Sequence, residues 1–217
     1  MCELLAMSSS VPVTVNLSLR AFAEHGGGTG PHDDGWGIAY YHGAYARIIK
    51  DVRQAAGSDW VSFVEGRDLR STSVIAHIRH GTRGGISLEN THPFARELGG
   101  RVHVFAHNGT LRDYERDSRF RLDAYRPIGE TDSEWVFCVL LGRLREAWTS
   151  GAQAPPLGLR RGIVEEFARD VRELGAANFI YCDSEYLFAH ATARTHDDGR
   201  VGPPGLNMLE RRVDDPT

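Results

Sequence analysis

The sequence has few cysteines, almost no lysine and no long hydrophobic segment. Its formal net charge is −4 with acidic and basic residues interspersed, which argues against a basic face for DNA or RNA. No apolar run reaches the roughly 18 residues that a membrane span requires. Residues 1–25 also lack the basic start and apolar core of a signal peptide. We therefore expect a cytoplasmic protein that binds neither nucleic acid nor membrane.

The three cysteines are too few for a disulfide framework, so a reducing compartment is the simpler assumption. Cys138 lies in an apolar run and Cys182 closes a strand-like segment. Both are expected to be small core residues. Cys2 has neither setting, and it therefore needs another explanation.

The length of 217 residues favours one domain. Hydrophobic periodicity predicts that strands precede and follow a helical pair. Strands are predicted at 2–7, 36–41, 45–50, 73–79, 101–106, 177–182 and 186–191. Helices are predicted through 17–23, 59–65, 131–148 and 163–174, with a serine-rich cap at 8–10 before the first of them. Residues 192–217 form a polar tail. This order indicates an α+β fold of antiparallel sheets covered by helices.

Cys2 is the candidate nucleophile. Removal of Met1 is expected because cysteine is small, and it would leave a thiol and a free α-amine on one residue. An α-amine has a pKa near ~8, so this residue can carry both a nucleophile and its own base. The alternative, judged from this position alone, is an ordinary cysteine.

Three other segments carry groups suited to a reaction at an amide. Asn108 and Gly109 end a strand and could direct a side-chain amide and a backbone N–H towards an oxyanion, or could form an ordinary Asn-Gly turn. Asp132 could bind an ammonium group or be a first-turn helix acid. Arg79 could hold a carboxylate in a bidentate pair or form a surface ion pair.

Together these groups are the parts needed to bind and cleave glutamine. The sequence resembles the class II glutamine amidotransferases, and is most similar to their small stand-alone bacterial, YafJ-like subgroup. The resemblance is carried by six motifs: MCELLAMS at 1–8, the loop and strand 26–41 containing DGWG, the segment 75–84, ENTHPF at 89–94, HNG at 107–109 and GETDSE at 129–134. They occur in family order over about residues 1–190, within a single domain that spans 1–217.

That resemblance implies a four-layer αββα sandwich of the N-terminal-nucleophile (Ntn) hydrolase type. It implies that Cys2 is the nucleophile and that Asn108 and Gly109 form the oxyanion hole. Arg79 would hold the substrate α-carboxylate, Asp132 would hold its α-ammonium group, and Thr82 is a further candidate for the same pocket. The expected reaction passes through a thioester, releases ammonia from glutamine or a γ-glutamyl amide, and uses no cofactor.

A metal site is the alternative reading of the histidines clustered in the middle of the sequence: His77, His80, His92, His103 and His107. In an extended strand His77 and His80 point to opposite faces, whereas His103 and His107 share a face but lie roughly 13 Å apart. One zinc ion cannot readily join such a pair. We therefore expect no metal, and we interpret the glycine-rich loop 26–35 as an active-site flap or a plain connector.

Two departures from the family pattern qualify the expected activity. His80 and Arg83 stand where many class II enzymes carry Trp and His, which makes a γ-glutamyl amide a candidate substrate besides free glutamine. Relatives continue past the equivalent of Ala191 with further strands, so we expect the sandwich to lack its C-terminal strands. The sheets would then have unpaired edges unless a partner chain or a homodimer supplies the missing strands. A truncated, non-catalytic binding or regulatory protein is the alternative function. No synthetase segment is recognised, so ammonia transfer would need an acceptor-activating partner protein.

Overall fold

The protein is described by a computed structural model that covers residues 2–14, 16–30, 32–67, 69–81, 84–148, 153–196, 199–203 and 205–212. Thr82 and Arg83 lie outside the described residues, as does Met1. No helix in the described segments combines the length and the apolar character needed to cross a membrane.

The first sheet is fully antiparallel and has the order β1-β4-β2-β3. Its strands are β1 (Glu3–Val13), β2 (Trp36–His42), β3 (Tyr45–Asp51) and β4 (Ser71–Ile78). Two short helices, α1 (Asn16–Glu24) and α2 (Asp59–Glu65), cover its outer face. The hairpin between β2 and β3 turns at Gly43, whose φ of 61° suits glycine.

The second sheet is also antiparallel, with its strands in chain order. The strands are β5 (Phe94–Leu98), β6 (Arg101–Asn108), β7 (Asn178–Cys182) and β8 (Leu187–His190). Two longer helices, α3 (Asp132–Ala147) and α4 (Leu157–Leu174), pack on its outer face. A two-residue pair, β9 (Arg194–Thr195) with β10 (Val201–Gly202), follows in the segment predicted to be a tail.

The inner faces of the two sheets pack against each other through small and β-branched side chains, including Ala39, Ile75, Ala106 and Ile180. This packing produces four layers, helix-sheet-sheet-helix, and confirms the predicted αββα sandwich. Cys138 and Cys182 are buried, as predicted.

Two predicted element boundaries were wrong, and the strand β5 was missed. Ser8–Ser10 does not cap a helix, because β1 continues through it to Val13 with a register shift after Ser8. α4 begins at Leu157, directly after Pro156, rather than at Ile163. β5 was not predicted. It is an edge strand held by β6, with Phe94 opposite Phe105. Each sheet has four strands within the described residues, and the expectation of further strands stays a prediction.

Candidate active site

Cys2 lies immediately before β1 and beside the end of β4. The pairing of Glu3 with Ile78 brings residue 2 next to the segment that follows β4. The His80 backbone N–H donates to Cys2 Sγ at 3.2 Å, and the thiol donates to the His80 carbonyl oxygen at 3.3 Å. Cys2 is half-buried, and its sulfur is therefore held in one position by the β4 end.

The protonation of Cys2 is controlled by its surroundings. Burial raises the pKa of the thiol, and the His80 amide and the Arg79 guanidinium offset only part of that rise. The thiol is therefore the main form at neutral pH, and the nucleophilic thiolate requires a base to take its proton.

Asn108 ends β6 and reaches Cys2 from the second sheet. Its side-chain Nδ2 donates to the Cys2 carbonyl oxygen at 2.5 Å. The side-chain amide has two N–H groups, so one of them is used in this bond. The next residue, Gly109, passes so close to Ala176 that a Cβ there would overlap the Ala176 carbonyl oxygen. The Asn108–Gly109 turn is therefore packed against the connection between α4 and β7.

Arg79 directly follows β4 and is buried, with 3% of its surface exposed. Its backbone N–H donates to the Gly35 carbonyl oxygen at 2.7 Å. The guanidinium donates to the carbonyl oxygens of Asp34 at 3.4 Å and Gly84 at 3.1 Å. The Asp34 carboxylate accepts from the Gly81 N–H at 2.7 Å. The end of the glycine-rich loop therefore contacts the segment that carries Arg79.

Asp132 is the first residue of α3, and Thr131 caps that helix by accepting from the Glu134 N–H. The Asp132 carboxylate is buried and accepts backbone N–H groups from Leu111 at 2.7 Å and Ser133 at 2.8 Å. A carboxylate at a helix N-terminus is stabilised by the helix dipole. Asp132 thus joins α3 to the chain that leaves the Asn108–Gly109 turn.

A layer of buried histidines underlies these groups, and sequence analysis considered them only as metal ligands. His77 donates through Nε2 to the His107 carbonyl oxygen at 3.2 Å, and the His77 and His92 rings lie 4.1 Å apart. His107 Nδ1 bonds the Ser133 hydroxyl at 2.9 Å. Burial lowers the pKa of His77 to about 3 and also lowers the pKa values of His92 and His107. These rings are neutral and connect the two sheets.

The structure thus brings together three of the predicted site residues, Cys2, Arg79 and Asn108, with Gly109 next in the turn. Asp132 joins them indirectly through Leu111. The described residues include no group of three or more His, Cys, Asp or Glu side chains arranged to hold a metal ion. His103, on the helix side of β6, bonds Tyr181 and the Leu98 carbonyl oxygen instead.

A sequence profile of the class-II glutamine amidotransferases matches residues 1–212. The YafJ protein of Escherichia coli (strain K12), which carries a provisional glutamine amidotransferase name, is 40% identical over 211 residues. That match covers 96% of this chain and 80% of the relative.

Solved structures agree with the sequence comparison. A crystal structure from Pseudomonas aeruginosa, described as a predicted glutamine amidotransferase, has a TM-score of 0.63 and 36% identity. The match covers 88% of this chain and 73% of that one. The glutamine phosphoribosylpyrophosphate amidotransferase of Bacillus subtilis has a TM-score of 0.55 at 13% identity, covering 88% of this chain and 37% of that one, which is a likeness of fold alone.

Proposed function

The chain belongs to the class II glutamine amidotransferases, and from this premise we propose that it hydrolyses the side-chain amide of glutamine or a γ-glutamyl compound with Cys2 as the nucleophile. The observation that carries the proposal is that three motifs distant in the sequence, those of Cys2, Arg79 and Asn108, lie together in the fold. Cys2 Sγ bonds the backbone of His80, beside Arg79, and Asn108 bonds the Cys2 carbonyl oxygen.

The first step requires a base for a thiol that burial keeps protonated. While Met1 is attached, the nitrogen of Cys2 is part of a peptide bond and cannot take a proton. Removal of Met1 would free an α-amine with a pKa near ~8, close enough to accept the thiol proton near neutral pH. Processing therefore creates the base and the active nucleophile together.

The thiolate of Cys2 would then attack the amide carbon of the substrate. The second N–H of the Asn108 side chain and the backbone N–H of Gly109 would stabilise the resulting oxyanion. The α-ammonium group of Cys2 returns its proton to the leaving nitrogen. The carbon–nitrogen bond then breaks, and the nitrogen departs as ammonia. Water then adds to the thioester carbon, the carbon–sulfur bond breaks, and glutamate is released with regeneration of the thiol.

Arg79 and Asp132 would recognise the amino-acid end of the substrate. The guanidinium of Arg79 suits an α-carboxylate because it presents paired donors. Asp132 would share its carboxylate between two backbone amides and the substrate ammonium group. Thr82 stays a candidate for this pocket. His80, which follows β4, replaces a residue that is common in the family, and γ-glutamyl amides are therefore proposed as substrates besides free glutamine.

Hydrolysis is the minimal activity, and transfer of ammonia to an acceptor would need an acceptor-activating partner protein. A homodimer is a further proposal, because β1, β3, β5 and β8 are edge strands within the described part of the chain, and a second chain could pair with their outer backbone groups.

The test is glutamate and ammonia release from L-glutamine and a panel of γ-glutamyl amides. The protein would be purified with its N-terminus verified by mass spectrometry, and Cys2→Ala would be measured in parallel. We expect turnover by the processed protein and none by Cys2→Ala, because a thioester requires a thiol and the other two thiols, Cys138 and Cys182, are buried. Cys138→Ala is the matched control, since that thiol is buried in α3.

Two results would contradict the proposal. Equal turnover by Cys2→Ala would remove Cys2 from the mechanism. Ligand binding without product by a folded, processed chain would favour the non-catalytic alternative.

A further inference from the structure

We infer that Asn178 is a positioning residue that fixes the Asn108–Gly109 turn in the geometry needed for oxyanion stabilisation, an inference that rests on the proposed function. Asn178 is the first residue of β7 and stands directly opposite Asn108 in the β6–β7 ladder. It is buried, with 1% of its surface exposed. Its side-chain hydrogen bonds go to Asn108, Ala193 and Thr192, so its effect on the reaction is expected to pass through the Asn108–Gly109 turn.

The side-chain amide of Asn178 bonds both the turn and a more distant segment. Its Nδ2 donates to the Asn108 carbonyl oxygen at 3.3 Å and to the Ala193 carbonyl oxygen at 2.8 Å. Its Oδ1 accepts the Thr192 N–H at 2.9 Å. Both donors are therefore used, and a buried amide with this many partners has one stable orientation.

Residues 175 and 176, which precede Asn178, also contact the segment around the Asn108–Gly109 turn. The ring of His107 bonds the Ala176 carbonyl oxygen at 3.3 Å, and Gly109 packs against that same carbonyl. Beyond the turn, Leu111 forms a β-bridge with Gly175. Residues 175–178 therefore follow the turn closely, and Asn178 supplies the side-chain bond to the residue that carries the oxyanion donor.

The effect of an oxyanion donor depends on its distance from the oxyanion. A misplacement of about 1 Å, even one caused by a change far from the chemistry, can cost on the order of 10²-fold in rate. Loss of the bond from Asn178 would free the Asn108 backbone to shift while Arg79 and Asp132 keep their own contacts. The expected signature is a lower kcat with an unchanged KM, because the groups proposed to bind the substrate are untouched.

The experiment is glutamine hydrolysis by Asn178→Ala in the full, processed chain. We expect kcat to fall by about 10- to 100-fold and KM to change by less than about twofold. Alkylation of Cys2 by iodoacetamide forms no oxyanion, and its rate should stay close to that of the wild type. Asn178→Ser, which keeps a small polar side chain but is too short to bond Asn108, should show the same pattern and serves if Asn178→Ala does not fold.

A double-mutant cycle separates positioning from a general structural role. In an Asn108→Ala background, Asn178→Ala should cause a smaller loss of kcat than it does in the wild type, because the side-chain donor is already absent and only the Gly109 N–H is left to be displaced. The matched control is Thr192→Val, which removes the hydroxyl that accepts the Ala177 N–H but leaves the bond to Asn108. It should lower thermal stability without lowering kcat.

An unchanged kcat in Asn178→Ala, or an equal additional loss in the Asn108→Ala background, would overturn the inference while leaving the proposed function in place. Absence of turnover in the wild-type protein would instead overturn the proposed function, and this inference with it.

Discussion

The two halves of the molecule differ in how heavily their sheets are covered. The first sheet carries helices of 9 and 7 residues, whereas the second carries helices of 16 and 18 residues. On the first half, α2 leaves Trp60 and Phe63 about half exposed, at 48% and 47%. On the second half, the core is dominated by stacked aromatic side chains such as Phe105 and Phe137.

This difference shows how the candidate site divides its tasks. Cys2, the proposed nucleophile, and Arg79, the proposed carboxylate-binding residue, come from the half with the short helices. Asn108, the proposed oxyanion donor, and the helix acid Asp132 come from the half with the long helices. The proposed donors are thus attached to the half with the larger core, and the two halves meet at the Asn108 bond to Cys2.

The largest expected effect is on stability, and it compares the same substitution in each half. Leu140→Ala, in the fully buried centre of α3, should lower the free energy of unfolding by about 4–5 kcal/mol. Leu19→Ala, in α1, should cost about 2–3 kcal/mol, because a thin helical layer can collapse into the space. Urea unfolding measures both, and equal losses would show that the halves do not differ in rigidity.

Asn108→Ala tests whether the heavily covered half supplies the oxyanion donor. We expect kcat to fall by on the order of 10²–10³ because one preorganised donor is lost. The midpoint of thermal unfolding should fall by only a few degrees, because one side-chain hydrogen bond to the Cys2 carbonyl oxygen is lost, and the exposed Asn207→Ala provides a control. Turnover at the wild-type level would remove Asn108 from the mechanism.

The buried histidines that join the halves predict a loss of stability in acid. Burial lowers the pKa of folded His77 to about 3, whereas the unfolded residue titrates near ~6.5. Below about pH 6.5, His77 binds a proton in the unfolded chain but not in the folded chain. Stability present at neutral pH is therefore lost by up to ~1.4 kcal/mol per pH unit for this residue, until the folded ring itself titrates.

Urea unfolding of His77→Gln from about pH 7 to about pH 4.5 checks this expectation. The variant should have a shallower dependence of stability on pH than the wild type. His42→Gln, which replaces an exposed histidine at the end of β2, should leave the dependence unchanged. An unchanged slope in His77→Gln would contradict the neutral, buried state of His77.

The smallest effects compare the helix caps of the two halves. Thr131 accepts the Glu134 N–H at the start of α3, and Ser58 accepts the Trp60 N–H at the start of α2. Replacement of either residue by Ala should cost about 1 kcal/mol. Only Thr131→Ala should also raise KM for glutamine, because Asp132 is the next residue. A rise in KM in both variants would argue against a local effect at Asp132.

Features encoded over a few neighbouring residues were predictable from the sequence. The helix-start signature at Thr131–Glu134 predicted α3, and Gly43 predicted the hairpin of the first sheet. Where a local preference competes with strand pairing, the pairing decides. Ser8–Ser10 suits a helix cap by its side chains, yet these serines extend β1, whose preceding residues pair along β4.

Features that depend on register between distant segments could not be predicted. β5 has the charged residues Arg96 and Glu97 at its centre and is a strand because Phe94 pairs with Phe105 of β6. In the candidate site, family resemblance identified Asn108, but nothing near Asn178 in the sequence indicates its bond to that residue. That bond exists only because the β6–β7 register sets the two asparagines opposite each other.

The hydrogen bonds between Cys2 and His80 also determine when the site can form during protein synthesis. The two residues are separated by 78 positions, and β1 pairs with β4 alone within the described residues. At a synthesis rate of about 5–20 residues per second, roughly 4–16 s pass between the addition of Cys2 and the addition of His80. For an interval of that length residue 2 has no β4 with which its strand could pair. The proposed removal of Met1 can thus precede the formation of the bonds between Cys2 and His80.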